Sequence, residues 1–113
     1  MNFNKYIWGL RALIYGISFN KIGKLSYIGK PTFIEGRKNI SLGNKVRIYP
    51  SVRMEAIGNG KIIVGNNVAI EQNVEIVSME KDLCIGNDVT IAGNVFISNV
   101  NHDYRDIKRS VMD

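Results

Sequence analysis

At 113 residues the chain has room for one small domain, and 45% apolar with 22% charged side chains is the balance of a folded protein rather than a disordered one. Its one cysteine, Cys84, excludes an internal disulfide and a cysteine-based zinc cluster, and its one histidine, His102, excludes any metal site that needs two imidazoles from a single chain. The net charge of +5 is local: residues 1–30 carry Lys5, Arg11, Lys21, Lys24 and Lys30 with no acid, whereas the remainder holds ten basic and ten acidic groups and is no candidate for nucleic-acid binding.

In residues 1–20, Phe3, Ile7, Leu10, Ile14 and Ile17 recur at steps of four and three, which places them on one face of an amphipathic α-helix. Gly9 and Gly16 weaken such a helix by roughly 1 kcal/mol each relative to alanine, so it depends on packing against something. Lys5, Arg11 and Asn20 interrupt the apolar stretch, which lacks a small-residue cleavage site and is too short to span a bilayer. Two readings stay open. One is a cap over the first turn of the following structure. The other is a helix lying on a membrane surface, favoured by Trp8 and Tyr15 on its flank and by the uncompensated basic residues.

From residue 22 a six-residue period takes over. Leu42-Gly43-Asn44-Lys45-Val46-Arg47 leads to Ile48 and then Met54; Val64-Gly65-Asn66-Asn67-Val68-Ala69 leads to Ile70 and Ile76; Ile85-Gly86-Asn87-Asp88-Val89-Thr90 leads to Ile91 and Ile97. Valine takes the fifth place in the first two hexads of each set, at Val46, Val52, Val68, Val74, Val89 and Val95. The sets begin at 42, 64 and 85, so each holds three hexads and a small surplus, near 55–61 and 77–82. Ile40, Ile62 and Leu83 precede each start by two residues, as strands facing one interior require. Ile22, Ile28 and Ile34 mark a degenerate earlier coil.

These spacings predict a parallel triangular β-helix. Short strands form its sides, and Gly-Asn, Asn-Asn and Asn-Asp pairs sit at its turns, where positive φ suits glycine and is tolerated by Asn and Asp. Coils stack about 4.8 Å apart, and none is stable alone. An antiparallel β-sandwich needs hairpin turns and no fixed hexad. The period leaves the handedness open.

The hexads, and above all IGNDVTIAGNVFISNVNHDY at 85–104, resemble the hexapeptide-repeat acyltransferases, especially the O-acetyltransferases of lipopolysaccharide and capsular polysaccharide synthesis and the maltose and galactoside O-acetyltransferases. The resemblance covers residues 22–104, and the N-terminal helix followed by KIGKLSYIGKP fits the same group. It implies an all-β, left-handed β-helix (21–102) behind the helix of 1–20, with 103–113 as a protruding, truncated end. It implies acetyl transfer from acetyl-CoA to a sugar hydroxyl, a cytoplasmic enzyme that is peripheral at the inner membrane face if the helix binds lipid, and a homotrimer with active sites between subunits. Outward Tyr49, Arg53 and Phe96 are candidate subunit contacts.

His102 lies where the regular pattern ends, and its counterpart in the family is the general base that takes a proton from the acceptor hydroxyl. Imidazole suits this task because it titrates near neutral pH, where a sugar hydroxyl is a poor nucleophile. Asn101 and Asp103 are candidates to orient the ring and contact substrate, although both are also ordinary turn residues. At the register of Glu71 the related sugar acetyltransferases carry an asparagine that contacts the acceptor; glutamate there could accept hydrogen bonds from sugar hydroxyls or face solvent. Cys84 alternates with Leu83 and Ile85 and so points away from the core, as a structural residue. The coils that supply most of the acetyl-CoA groove in the family are expected beyond Asp113, which makes the chain the N-terminal part of a longer enzyme or a truncated relative. The competing function is a non-catalytic β-helix that serves binding or assembly. A β-helical carbonic anhydrase would need several histidines, and an ice-binding coil would need regular outward threonines where this chain has mixed Lys, Asn, Glu and Arg.

Overall fold

The computed structural model describes residues 3–31 and 33–100, with the side chain of Phe3 left aside. Helix α1 (Phe3–Tyr15) leads into four coils of three strands each. The first comprises β1 (Lys21–Ile22), β2 (Tyr27–Ile28) and β3 (Phe33–Glu35), and the second β4 (Ile40–Leu42), β5 (Arg47–Ile48) and β6 (Arg53–Ile57). The third comprises β7 (Lys61–Val64), β8 (Ala69–Ile70) and β9 (Glu75–Met79), and the fourth β10 (Asp82–Ile85), β11 (Thr90–Ile91) and β12 (Phe96–Ser98). Every pairing is parallel, and the strands form three four-stranded sheets, β1-β4-β7-β10, β2-β5-β8-β11 and β3-β6-β9-β12. This is the expected stacked-coil solenoid.

The register explains why the hexad is strict. Leu42 pairs with Val64 and Val64 with Ile85; Ile48 pairs with Ile70 and Ile70 with Ile91; Met54 pairs with Ile76 and Ile76 with Ile97. Each first-position aliphatic therefore stacks on its counterpart one coil away. Ile22, Ile28 and Ile34 extend the same columns into the first coil. The fifth-position valines Val46, Val52, Val68 and Val74 join Ile40, Ile48, Ile62, Ile70 and Ile76 in being fully buried. Each such side chain contributes about 1.5–3 kcal/mol on leaving water, so a shift of register by one residue would turn the whole column outward. The surplus residues form corners: Gly58–Gly60 between β6 and β7, and Glu80–Lys81 between β9 and β10.

The turn chemistry follows the sequence expectation for Asn and Asp and departs from it for glycine. Positive φ falls on the fourth residue of the hexad, at Lys45, Asn67 and Asp88 on one corner and at Ser51, Asn73 and Asn94 on the next. The hexad glycines Gly43, Gly65 and Gly86 and the asparagines that follow them are not left-handed. Glycine serves close approach instead. A Cβ on Gly43 would lie 2.5 Å from Asn66 Oδ1 and 2.5 Å from the Gly65 carbonyl oxygen, whereas one on Gly86 would meet nothing within 4 Å among the described residues. The asparagines form a ladder through the stack: the backbone N–H of Lys24 donates to Asn44 Oδ1 (2.8 Å), that of Asn44 to Asn66 Oδ1 (2.8 Å), and that of Asn66 to Asn87 Oδ1 (2.7 Å). Corner N–H groups left over by the sheet ladders are satisfied in this way.

Helix α1 packs on the first coil, but with the opposite face to the one expected. Ala12 is buried, and Trp8 and Tyr15 are half-buried, with Phe19 buried just beyond the helix end. Ile7, Leu10, Ile14 and Ile17 point to solvent. The helix is apolar on two sides, so spacing alone could not choose between them. Shape decides: small Ala12 lets the helix approach the coil, and flat aromatic rings cover the sheet. Trp8 sits 5.5 Å from the Tyr27 ring and 5.8 Å from Tyr49, and Arg11 Nη1 donates to the Ile28 carbonyl at 3.2 Å. The helix closes at Tyr15, so Gly16 follows it rather than weakening its interior.

Candidate functional site

Asn101, His102 and Asp103 lie outside the described residues; the last described corner before them is that of Asn99. After β12 the chain is tied down by Asn99. Its Oδ1 accepts the Met79 N–H at 2.7 Å, and its Nδ2 donates to Ser78 Oγ and to the Lys81 carbonyl, both at 3.1 Å. The Asn99 N–H itself donates to the Val77 carbonyl at 3.2 Å. Ser78 is fully buried, and its hydroxyl lies 2.8 Å from the Lys61 carbonyl and 2.6 Å from that of Lys81. Its single proton serves those two carbonyls while the oxygen receives Asn99. One amide and one hydroxyl thereby join the third and fourth coils at the corner holding the surplus residues. Among the described residues no buried side-chain polar atom lacks a partner.

Sequence reasoning did not single out Asn99 or Ser78. The available signal was position: Asn99 is the third residue of its hexad, as Asn44, Asn66 and Asn87 are of theirs. Ser78 occupies the same place one coil earlier, where a small buried hydroxyl replaces the amide.

Glu71 follows β8 and is half-buried, with its backbone N–H donating to the Ile91 carbonyl at 3.0 Å. It belongs to the corner between the second and third sheets, whereas Asn99 belongs to the corner between the third and first. Within one chain the two do not share a corner. Glu71 instead lies near the aromatic cluster under α1. There the Tyr27 hydroxyl is pushed up to about 12, first by burial and then by the Tyr49 hydroxyl, with the Glu71 carboxylate adding to the rise and Arg47 opposing it.

The candidate subunit contacts fare differently. Tyr49 is covered by Trp8 of its own chain. Arg53 pairs with Glu55 (3.0 Å) and Glu75 (3.7 Å) and lies over the Phe33 ring. Phe96 stands open to solvent. Cys84 is exposed, as its alternation required, and no group of three potential metal ligands occurs among the described residues.

The chain is 35% identical over 72 residues to a protein named as the putative lipopolysaccharide biosynthesis O-acetyl transferase WbbJ of Escherichia coli (strain K12). The resemblance to the hexapeptide-repeat acyltransferases holds. The matched stretch is 64% of this chain and 36% of that protein, so this hexapeptide-repeat solenoid spans about a third of the length of the curated relative. No family model matches the chain, and no solved structure matches it.

Proposed function

We propose that the solenoid is part of an O-acetyltransferase that moves an acetyl group from acetyl-CoA to a sugar hydroxyl of a surface polysaccharide, with His102 as general base. The single observation that carries this reading is the similarity to a protein named as a lipopolysaccharide O-acetyl transferase, over a stretch longer than half of this chain. The anchored corner supports it. Three residues of chain reach at most about 11 Å, so Asn99 restricts where His102 can act.

In the proposed reaction His102 takes the proton of the acceptor hydroxyl as that oxygen attacks the thioester carbonyl. A C–O bond forms, the oxyanion collapses, the C–S bond breaks, and the thiolate leaves with the proton. Backbone N–H groups at a coil edge are suitable donors to the oxyanion. Asn101 and Asp103 would orient the imidazole, and Glu71 would contact acceptor hydroxyls. Glu71 lies at a different corner from Asn99, an arrangement in keeping with a trimer whose sites lie between subunits. A cytoplasmic location, where acetyl-CoA is made, belongs to the same proposal.

The test is thiol release from acetyl-CoA by the native protein in the presence of sugar acceptors. His102→Ala is expected to lower kcat by ~10²-fold or more with the fold intact. Unchanged turnover would remove His102 from the mechanism, and acetyl-CoA binding without transfer to any hydroxyl would favour the assembly role.

A further inference from the structure

Helix α1 presents two apolar faces, and the solenoid uses only one. At 100° per residue, Trp8, Arg11, Ala12 and Tyr15 cluster on the side that meets the first coil. Tyr6, Leu10, Leu13 and Ile14 occupy an arc of about 100° on the opposite side, and Ile17 lies just beyond the helix end. Those five, with Leu25 on the adjoining turn, are 57–89% exposed. Single exposed apolar residues need no explanation, but a contiguous stripe along a whole helix marks an interaction surface. Tyr6, Leu10, Leu13 and Leu25 also line an open groove of about 560 Å³ between the helix and the first coil, with Lys5 at its rim.

From this geometry we infer that α1 docks the solenoid on an anionic lipid surface, its outer face seated among the headgroups and upper acyl chains. Charge complementarity selects this occupant. Residues 1–30 contain five basic side chains and no acid. Lys5 borders the groove, and Lys24 lines a neighbouring cleft with Leu13 and Leu25. Cations around an apolar stripe match the interfacial zone of an anionic leaflet, where each lysine near the surface strengthens binding by roughly fivefold. Two copies meeting through this face would bring the same positive charges together without neutralising them. Among the described residues no helix is long and apolar enough to cross a membrane, so the contact is peripheral. Trp8 packs on Tyr27 and Tyr15 lies under Arg37, so both are engaged by the solenoid and do not take part, which assigns the membrane contact to residues other than those first suggested by the sequence. The inference is independent of any transferase activity.

Co-sedimentation of the chain with phosphatidylcholine vesicles, with and without phosphatidylglycerol, tests it. Binding to the anionic vesicles is expected to exceed that to neutral ones by at least tenfold and to weaken in high salt. Both Leu10→Ser/Leu13→Ser and Lys5→Glu/Lys24→Glu should lower it at least tenfold. The substituted side chains are exposed, so far-UV circular dichroism and the thermal midpoint should stay at wild-type values. Equal partition to neutral and anionic vesicles would overturn the proposal. So would self-association that Leu10→Ser/Leu13→Ser abolishes in a chain that ignores vesicles.

Discussion

Gly43 and Gly86 occupy the same place in two hexads, yet their substitution should have opposite effects. In Gly43→Ala the new methyl would sit 2.5 Å from Asn66 Oδ1, 2.5 Å from the Gly65 carbonyl oxygen and 2.7 Å from the Gly65 carbonyl carbon. Two of these three atoms are backbone of a coil fixed by its own ladder, so the coils must part. Overpacking of this kind costs about 1–3 kcal/mol. Displacing Asn66 also endangers the 2.8 Å bond it accepts from Asn44, worth about 1 kcal/mol. The total of ~2–4 kcal/mol corresponds to a fall in Tm of ~10–20 °C for a chain of this length. In Gly86→Ala the methyl meets nothing within 4 Å among the described residues, and φ is not positive. The reduced freedom of the unfolded chain should then stabilise by about 0.4–1 kcal/mol. Thermal unfolding followed by circular dichroism measures both. If these glycines served turn flexibility, both variants would lose stability alike. That result, or a Gly43→Ala protein as stable as wild type, would refute the packing argument.

Lys45 holds φ 57 without the local hydrogen bonding that makes asparagine tolerant there, so Lys45→Asn should raise stability by about 0.5–1 kcal/mol, read as a higher denaturant midpoint. Tyr27 stays protonated in the folded state to about pH 12, above the ordinary tyrosine value of 10.0. Because the folded pKa is raised, the stability linked to this hydroxyl is fully present below pH 10.0 and is lost as pH climbs toward about 12. Urea midpoints should fall across that window in wild type and fall less steeply in Tyr27→Phe; parallel curves would show that the hydroxyl is not buried as described.

Much of the architecture could be read in the chain itself. The first-position aliphatics and fifth-position valines name the core, because a column that repeats every coil admits only one side-chain orientation per position. The corner surplus at 55–61 and 77–82 was visible for the same reason. The asparagine ladder was not, since turn chemistry and inter-coil bonding call for the same residue at the same spacing. Asn99 and Ser78 escaped notice because the partners Met79, Lys61 and Lys81 are met mostly across 17 to 20 residues of sequence and carry no motif.

The sequence by itself determined the repeat, its parallel stacking and the interior it encloses, because hydrophobic periodicity is a local property that each hexad states anew. Only the tertiary structure decided which face of α1 meets the solenoid, why glycine is needed at Gly43, and which corner anchors the segment before His102. Each of these depends on what the neighbouring coil places within a few ångströms, and that separation is set by the stack rather than by any neighbour in sequence.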